Sequence, residues 1–485
     1  MKKISAMSAS LLAALLLVSC GGAPENGPAP AGNDSAAAAA EGTAAAETEY
    51  SRLDELKTDA FSGRTFTILD ANDYPGSNLI SPGPEMTGDI INDNLYERDM
   101  AIEELFGIDI NYIQFAPAAD GCKSMKQAAQ AGDDVYQLCI STLLGGSLAD
   151  SATGHVLRNL CDIGEISLKE PWWSPLMYDQ LRLYGRMYYT SGDLSPMRFT
   201  LPSCIYLNQK LLGDYGIDGD YYALADEGRW TLDRFYEITV PYDQDLNGDG
   251  KMHMSDDFFG LANADHVLSA NQFIVGAGVG LSTVDEDGIH VDLGSERTAA
   301  VIEKLKPIVS GKKYADQNDI YKLAFMEDRA IAVMHTLSIS KSTLRSMESD
   351  YYIMPMPKFD ELQKDYRSFI NAWSNAFIGI PVTAEPVYSG TVTEALCWHS
   401  YKNLRAGMCN LLLKEKSARD AGSQRMIDIL LEAQYIDFNG LYDFGGTTSV
   451  LQKALFGNGE LVSGIEKTAE KTRKAIESLE TEWNA

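Results

Sequence analysis

The chain has 485 residues, 45% of them hydrophobic, and a formal net charge of −29 at pH 7 from 69 acidic and 40 basic side chains. An acid excess of this size repels phosphate backbones and anionic headgroups, which excludes nucleic acid as a partner. The part after residue 50 exceeds one hydrophobic core, so two lobes or more are expected.

The N-terminus carries the clearest signal. Lys2 and Lys3 precede an uncharged apolar run, Leu11 to Val18, which is too short to span a bilayer of about 30 Å. Leu17-Val18-Ser19-Cys20 then places a small residue before a cysteine, in the manner of a bacterial lipobox. Residues 1–19 therefore read as a lipoprotein signal peptide, with Cys20 left to carry acyl chains such as palmitate. The alternative is a secretory signal that contains Cys20 by chance. Two or more acyl chains would hold a soluble domain stably on a membrane. Residues 20–50 are rich in Ala, Gly and Pro and offer no apolar face, which predicts a disordered tether. The folded domain is expected over 51–485, on the extracytoplasmic face, attached to the membrane through the lipid alone.

Strand and helix signals alternate along this domain, which points to an α/β fold. Strands are expected at Arg64–Ala71, Ile108–Phe115, Tyr136–Thr142, Met187–Thr190, Ser203–Asn208, Arg329–Thr336, Tyr351–Met354 and Asn375–Ile380. Leu95, Ile102, Leu105 and Phe106 form one face at helical spacing, and Gly107 ends that helix. Thr231, Ser295 and Ser423 are positioned as N-caps, with Asp233 favouring a positive helix end. The last helix is expected at Ile465–Trp483, with Ile465, Ala469, Ile476 and Leu479 on one face. Once Cys20 is lipidated, six cysteines remain, at 122, 139, 161, 204, 397 and 409. That even number permits disulfides. Cys139 and Cys204 fall in buried strands and no C-x-x-C occurs, so free thiols are the expectation.

One motif has fixed spacing. Asp245, Asn247 and Asp249 stand at positions 1, 3 and 5 of a loop, with Gly250 at 6, the Lys251 carbonyl at 7 and Asp256 at 12. Hard oxygens at that spacing suit calcium, and the glycine suits the sharp turn. Asp rather than Glu at position 12 brings the loop nearer the dockerin variant. The alternative is an acidic Asn-Gly turn without metal. If calcium binds, its expected role is structural.

Catalytic signatures are missing. The sequence has no H-E-x-x-H, G-x-S-x-G or G-x-x-x-x-G-K, and the Gly276–Gly280 stretch lacks the final glycine of a dinucleotide loop. Among the aromatics, Trp172, Trp173, Tyr188, Tyr189, Trp230 and Tyr442 read more readily as core than as sugar-stacking rings. Trp373 is set apart by its polar surroundings, Asn371-Ala-Trp-Ser-Asn375, directly before an apolar strand.

Over residues 60–460 the chain resembles family 1 extracellular solute-binding proteins, the lipoprotein receptors of ABC importers, in their long clostridial form. The resemblance rests on segments in the family's order: Gly185–Tyr189 with Gly192-Asp193, Tyr206–Leu212, Trp230–Phe235, Met354–Lys358, and Leu413–Met426. At Phe325–Ala330 this chain has Asp328 where relatives carry glycine, which puts the shape of that turn in question. The resemblance implies a two-lobe periplasmic-binding-protein-like fold of type II, with ligand in the cleft. Lobe one would take about 60–196 and 358–405, and lobe two about 197–357 and 406–485. It implies a monomeric, non-enzymatic receptor for a small solute, most often a carbohydrate, with ABC permease subunits as partners. The expected contacts are Asn72, Tyr74, Glu85 and Ser141 from lobe one, Asp193 and Trp373 from the hinge, and His335 and Thr336 from lobe two. The competing reading is a surface-anchored polysaccharide enzyme or adhesin with a dockerin-like calcium loop.

Overall fold

The computed structural model describes residues 51–71, 73, 80–143, 148–264, 266–309, 320–412 and 421–484. Two four-stranded sheets organise these residues. The first contains β1 (Thr65–Ala71), β2 (Asp109–Phe115), β3 (Leu138–Ser141) and, from much later in the chain, a strand at Phe377–Gly379. The second contains β4 (Ser203–Asn208), β5 (Phe259–Ala262) and strands at Ala330–Thr336 and Tyr351–Pro355. Between the last two groups in sequence lie β6 (Thr283–Asp285) and β7 (Gly288–His290), a hairpin. The strand Ala330–Thr336 is therefore β8, Tyr351–Pro355 is β9, Ser368–Phe369 is β10, Phe377–Gly379 is β11 and Gln434–Tyr435 is β12.

The first sheet runs β11-β3-β1-β2. β1 lies parallel to β2 and β3, and β11 closes the edge antiparallel to β3. Parallel strands need crossover connections, and the helices Ile90–Phe106 and Ala118–Ala131 supply them. β1 is buried along nearly its whole length, its buried positions including the polar Thr67 and Asp70, whereas edge strand β2 alternates. The second sheet runs β5-β8-β4-β9, with β4 antiparallel to both neighbours and β5 parallel to β8.

The helix Ile90–Phe106 starts at Asp89, whose side chain accepts the Asn92 N–H, and ends at Gly107 with φ +65°. It buries Leu95, Ile102 and Phe106, and also a charged side chain that hydrophobic periodicity passes over. Arg98 donates to the Leu194 and Ile80 carbonyls, each at 2.9 Å, and pairs with Asp99. The guanidinium thus ties this helix to the segment that leads from the first sheet to the second. Asp328 adopts φ +55°, the left-handed conformation that glycine takes at no steric cost. Aspartate is among the few residues that visit this conformation, because its short polar side chain can be held by hydrogen bonds. Here Asp328 accepts from Asn208 Nδ2 at 2.6 Å and from Ser349 Oγ at 2.9 Å.

Several expectations are corrected. Met187–Thr190 forms no strand; it makes a single bridge, Thr190 to Ile378. Ser423 lies inside the helix Ala421–Glu432 rather than at its cap, and Thr231 precedes its helix without a side-chain capping bond. Ser295 does cap, accepting the Thr298 N–H at 3.3 Å. The last helix runs Leu461–Asn484 and buries Leu479, but Ala469 is exposed. Its end packs against residues from much earlier in the chain: Trp483, buried, sits edge-on to Tyr188 at 4.8 Å and to Phe438 at 5.2 Å. The six described cysteines are all free thiols.

Candidate functional site

The two sheets meet along a short path of hydrogen bonds. At the end of β8, Thr336 pairs with Ser203 of β4. The Ser203 N–H donates to Ser368 Oγ at 2.6 Å, and Ser203 Oγ donates to the Phe369 carbonyl at 3.1 Å, both on β10. β10 leads into the turn 371–375, where the Ala372 carbonyl accepts the Leu143 N–H at 3.1 Å. Leu143 follows β3 by two residues, so the path ends at the C-terminal edge of the first sheet. Open α/β sheets bind ligands at that edge.

Four of the sequence-predicted residues lie on or next to this path: Thr336 with its neighbour His335 at one end, Trp373 beside Ala372 in the turn, and Ser141, two residues before Leu143, at the other end. Trp373 is 55% exposed, whereas the five other tryptophans are buried. It is therefore the tryptophan available to stack on a solute. His335 lies half-buried, its ring stacked on Tyr321 at 6.1 Å, and its Nδ1 accepts the Thr336 N–H at 2.8 Å. The Thr336 hydroxyl is 2.7 Å from Ser338 Oγ. Ser141 is fully buried beside Cys122, whose thiol is 3.7 Å from its hydroxyl.

The remaining predicted contacts fall elsewhere. Glu85 is exposed, and its carbonyl accepts Asn92 Nδ2 at 2.9 Å ahead of the helix Ile90–Phe106. Asn72 and Tyr74 lie outside the described residues. Asp193 is fully buried and engaged with Arg198 at 2.7 Å. Burial raises its carboxyl above the usual range, and Arg198 and Arg405 work against that rise. The adjacent Gly192 is required by crowding, because a Cβ there would lie 2.7 Å from the Trp173 ring and 2.6 Å from Cys397 Sγ. Asp193 thus helps fix the segment between the two sheets through one oxygen, while its Oδ2 is buried without a hydrogen-bond partner.

The sequence reading passed over two polar residues at the same edge. Asp70, the penultimate residue of β1, is buried; its carboxyl is pushed up to about 6 by burial, with Gln114 and Ser81 donating against the shift. Asn375, which closes the 371–375 turn, is buried as well. An acid inside the run Thr65–Ala71 and an amide directly before an apolar strand were the available signals.

The 245–256 loop stands apart from this junction. Its ends are closed by paired bonds between Gln244 and Phe258, and the buried Asp257 accepts the Leu246 N–H at 2.9 Å and the His253 N–H at 2.6 Å. Asp245, Asn247 and Asp249 each accept backbone N–H groups of the loop, from Gly248 and Gly250, Asp249, and Lys251 respectively. Gly248 and Gly250 take φ +73° and +80°. Lys251 and Asp256 are exposed. Among the described residues, no group of three or more His, Cys, Asp or Glu side chains is placed to hold an ion. The oxygen donors are hard and their order suits calcium, but Asp257 rather than Asp256 is the acid that ties the loop's end.

No protein-family model and no curated protein sequence matches the chain. Solved structures do. The cyclic α-maltosyl-1,6-maltose binding protein from Arthrobacter globiformis is 10% identical, matching 85% of this chain and 99% of its own with a TM-score of 0.56. The galacto-N-biose/lacto-N-biose I-binding protein of an ABC transporter from Bifidobacterium longum, in complex with lacto-N-biose, is 12% identical over 87% of this chain and 99% of its own, TM-score 0.53. An ABC substrate-binding protein from Listeria monocytogenes in complex with cycloalternan is 13% identical over 85% and 99%, TM-score 0.50. At such identities the likeness is one of fold. With its mixed sheets and the junction between them, this chain has the two-lobe α/β fold of the solute-binding proteins.

Proposed function

We propose that this chain is an extracytoplasmic receptor that delivers a carbohydrate to the permease of an ABC importer, held to the membrane by lipid on Cys20. The observation that carries the reading is Trp373, an exposed ring in the turn that joins β10 to the edge of the first sheet. An aromatic face suits the C–H face of a sugar, and neighbouring hydroxyl, imidazole and carboxamide groups suit its hydroxyls. The solved structures of like fold include ABC receptors holding lacto-N-biose and cycloalternan, which supports the same solute class here. Contacts from both lobes would favour a closed state, so binding and closure are one equilibrium. Nothing in the sequence supplies a catalytic constellation, in keeping with a receptor rather than a polysaccharide enzyme.

The test is a thermal-shift screen of mono- and oligosaccharides with product analysis. A stabilising sugar recovered intact supports the receptor; sugar cleavage supports the enzyme instead. Cys20→Ala should move the protein from the membrane to the soluble fraction, and an unmodified N-terminus on membrane-bound protein would refute the anchor.

The reading extends to calcium as a structural ion. Asp245, Asn247, Asp249 and the Lys251 carbonyl would hold it, with Asp256 completing the set. The ion would cross-link a loop already shaped by its glycines. A site that binds only the folded state adds about 2.7 kcal/mol at 100-fold excess over its dissociation constant. Chelation should therefore lower the melting temperature of the wild type but leave Asp249→Ala unmoved; identical wild-type melts with and without chelator reduce the loop to a turn.

A further inference from the structure

The C-terminal edge of the first sheet holds two buried polar side chains, one with its hydrogen-bonding capacity unused and the other with it only partly used. Asn375 is 0% exposed, and neither its Oδ1 nor its Nδ2 has a partner. Its backbone is nonetheless fixed, since the Asn375 N–H donates to the Asn371 carbonyl at 3.0 Å. Asp70 is 2% exposed. Its Oδ2 receives long hydrogen bonds from Ser81 Oγ at 3.3 Å and Gln114 Nε2 at 3.4 Å, while Oδ1 has no partner. Strand register places both near one level: Ala71 and Phe377 each pair with Ser141, one residue after Asp70 and two residues after Asn375.

Folded proteins seldom leave a buried amide wholly unpaired, because the desolvation of its donors and acceptor is then uncompensated. Such a group makes physical sense where its partner arrives from outside, and this is the edge at which α/β sheets take ligands. A sugar hydroxyl both donates and accepts, and a pair of adjacent hydroxyls matches a carboxamide's donor and acceptor.

We infer that Asn375 and Asp70 are the ligand-reading groups of the first lobe: Asp70 Oδ1 accepts one solute hydroxyl, while the Asn375 carboxamide accepts from a second and donates to a third. The inference rests on the carbohydrate-receptor reading above and assigns its polar contacts. It also predicts that these two residues cost the empty protein stability, a trade that groups satisfied within the fold do not make.

Asn375→Leu keeps the side-chain volume and removes the unpaired amide. With no sugar present it should raise the melting temperature. For whichever of lacto-N-biose, cycloalternan and cyclic α-maltosyl-1,6-maltose binds the wild type, affinity should fall about tenfold or more. A lower melting temperature without sugar would mean that enclosed water already satisfies the amide, which overturns the inference. Asp70→Asn, isosteric and uncharged, covers the case in which the leucine variant does not fold; it should lose affinity to a similar extent without melting lower at pH 7. Unchanged affinity in both variants would overturn the inference and leave the receptor intact. Failure of all three sugars to bind the wild type would instead overturn the carbohydrate reading, and the assigned solute class with it.

Discussion

Two buried aspartates do opposite work. Asp437 lies at the start of the helix Phe438–Tyr442, and its oxygens accept the N–H groups of Leu281 (2.7 Å), Ser282 (3.0 Å) and Gly440 (2.8 Å) and the Tyr435 hydroxyl (2.9 Å). Asp70 is buried to a similar degree, yet one of its oxygens has no partner and the other has only long ones. Burial raises both carboxyls above the usual range; at Asp437 four donors, the Ser282 N–H first, act against that rise. The difference separates polarity that builds a fold from polarity that awaits a solute. Asp437 pins the loop after the helix Val267–Gly276 to the chain near β12, so removing it breaks structure. Asp70 secures little, so removing its charge should relieve the fold.

The largest expected effect is at Asp437. Asp437→Ala leaves the buried N–H groups of Leu281 and Ser282 and the part-buried N–H of Gly440 without their acceptor, while the Tyr435 hydroxyl keeps Gln180 Oε1 at 3.2 Å. Each such group costs about 1–3 kcal/mol, so a loss of about 3 kcal/mol or more is expected by chemical denaturation. A loss under about 1 kcal/mol would mean that water replaces the carboxylate, and the contrast with Asp70 would fail.

The next effect has the opposite sign and depends on pH. The folded protein holds the Asp70 proton up to about 6, whereas the reference carboxyl releases it near 3.8. Between those values the folded state binds a proton that the unfolded state has lost, so this group's contribution to stability falls as pH rises through the window. Above the window the wild type bears the full cost of a buried charge, about 2–3 kcal/mol at one pKa unit per 1.36 kcal/mol. Asp70→Asn should therefore be more stable than wild type at pH 7, by up to that amount. The gain should shrink to nothing by about pH 4, where Asp70 is protonated in the folded wild type. A stability difference that does not change between pH 4 and pH 7 would show that the Asp70 carboxyl is not perturbed.

This contrast also marks what sequence can convey. The strands β1, β4, β8 and β9 were legible because strands covered on both faces are apolar runs bounded by turn residues. Met187–Thr190 shares that apolar character but finds only one bridging partner, and pairing is a property of the neighbours rather than of the segment. Asp328 departs from the glycine expected of relatives while holding a left-handed conformation, because Asn208 and Ser349 supply partners from distant points in the chain. The exposure of Trp373 was legible from its polar context. Asp193 sits between the two sheets and engages Arg198 through one oxygen, and Asn375 gives no sequence signal of its own although it lies two residues from Trp373. An unpaired amide and a satisfied one look alike in sequence; only the packed structure distinguishes them.

The smallest expected effect tests whether exposure at the junction serves binding. Trp373 buries too little of its ring to contribute much to the fold, so Trp373→Ala should leave the stability of the empty protein within about 0.5 kcal/mol of wild type. A ring stacked on a sugar is worth about 0.5–1.5 kcal/mol beyond the area it covers, so the dissociation constant for a bound sugar should rise about tenfold. The pattern expected of Trp373 is thus affinity lost with stability unchanged, whereas Asn375→Leu should lose affinity while gaining stability. Isothermal titration and thermal melts on the two variants separate these signatures. Equal sugar affinity in wild type and Trp373→Ala would remove the ring from the site. Affinity would then have to come from the strand-end polar groups alone, and the tryptophan's exposure would need another partner to account for it.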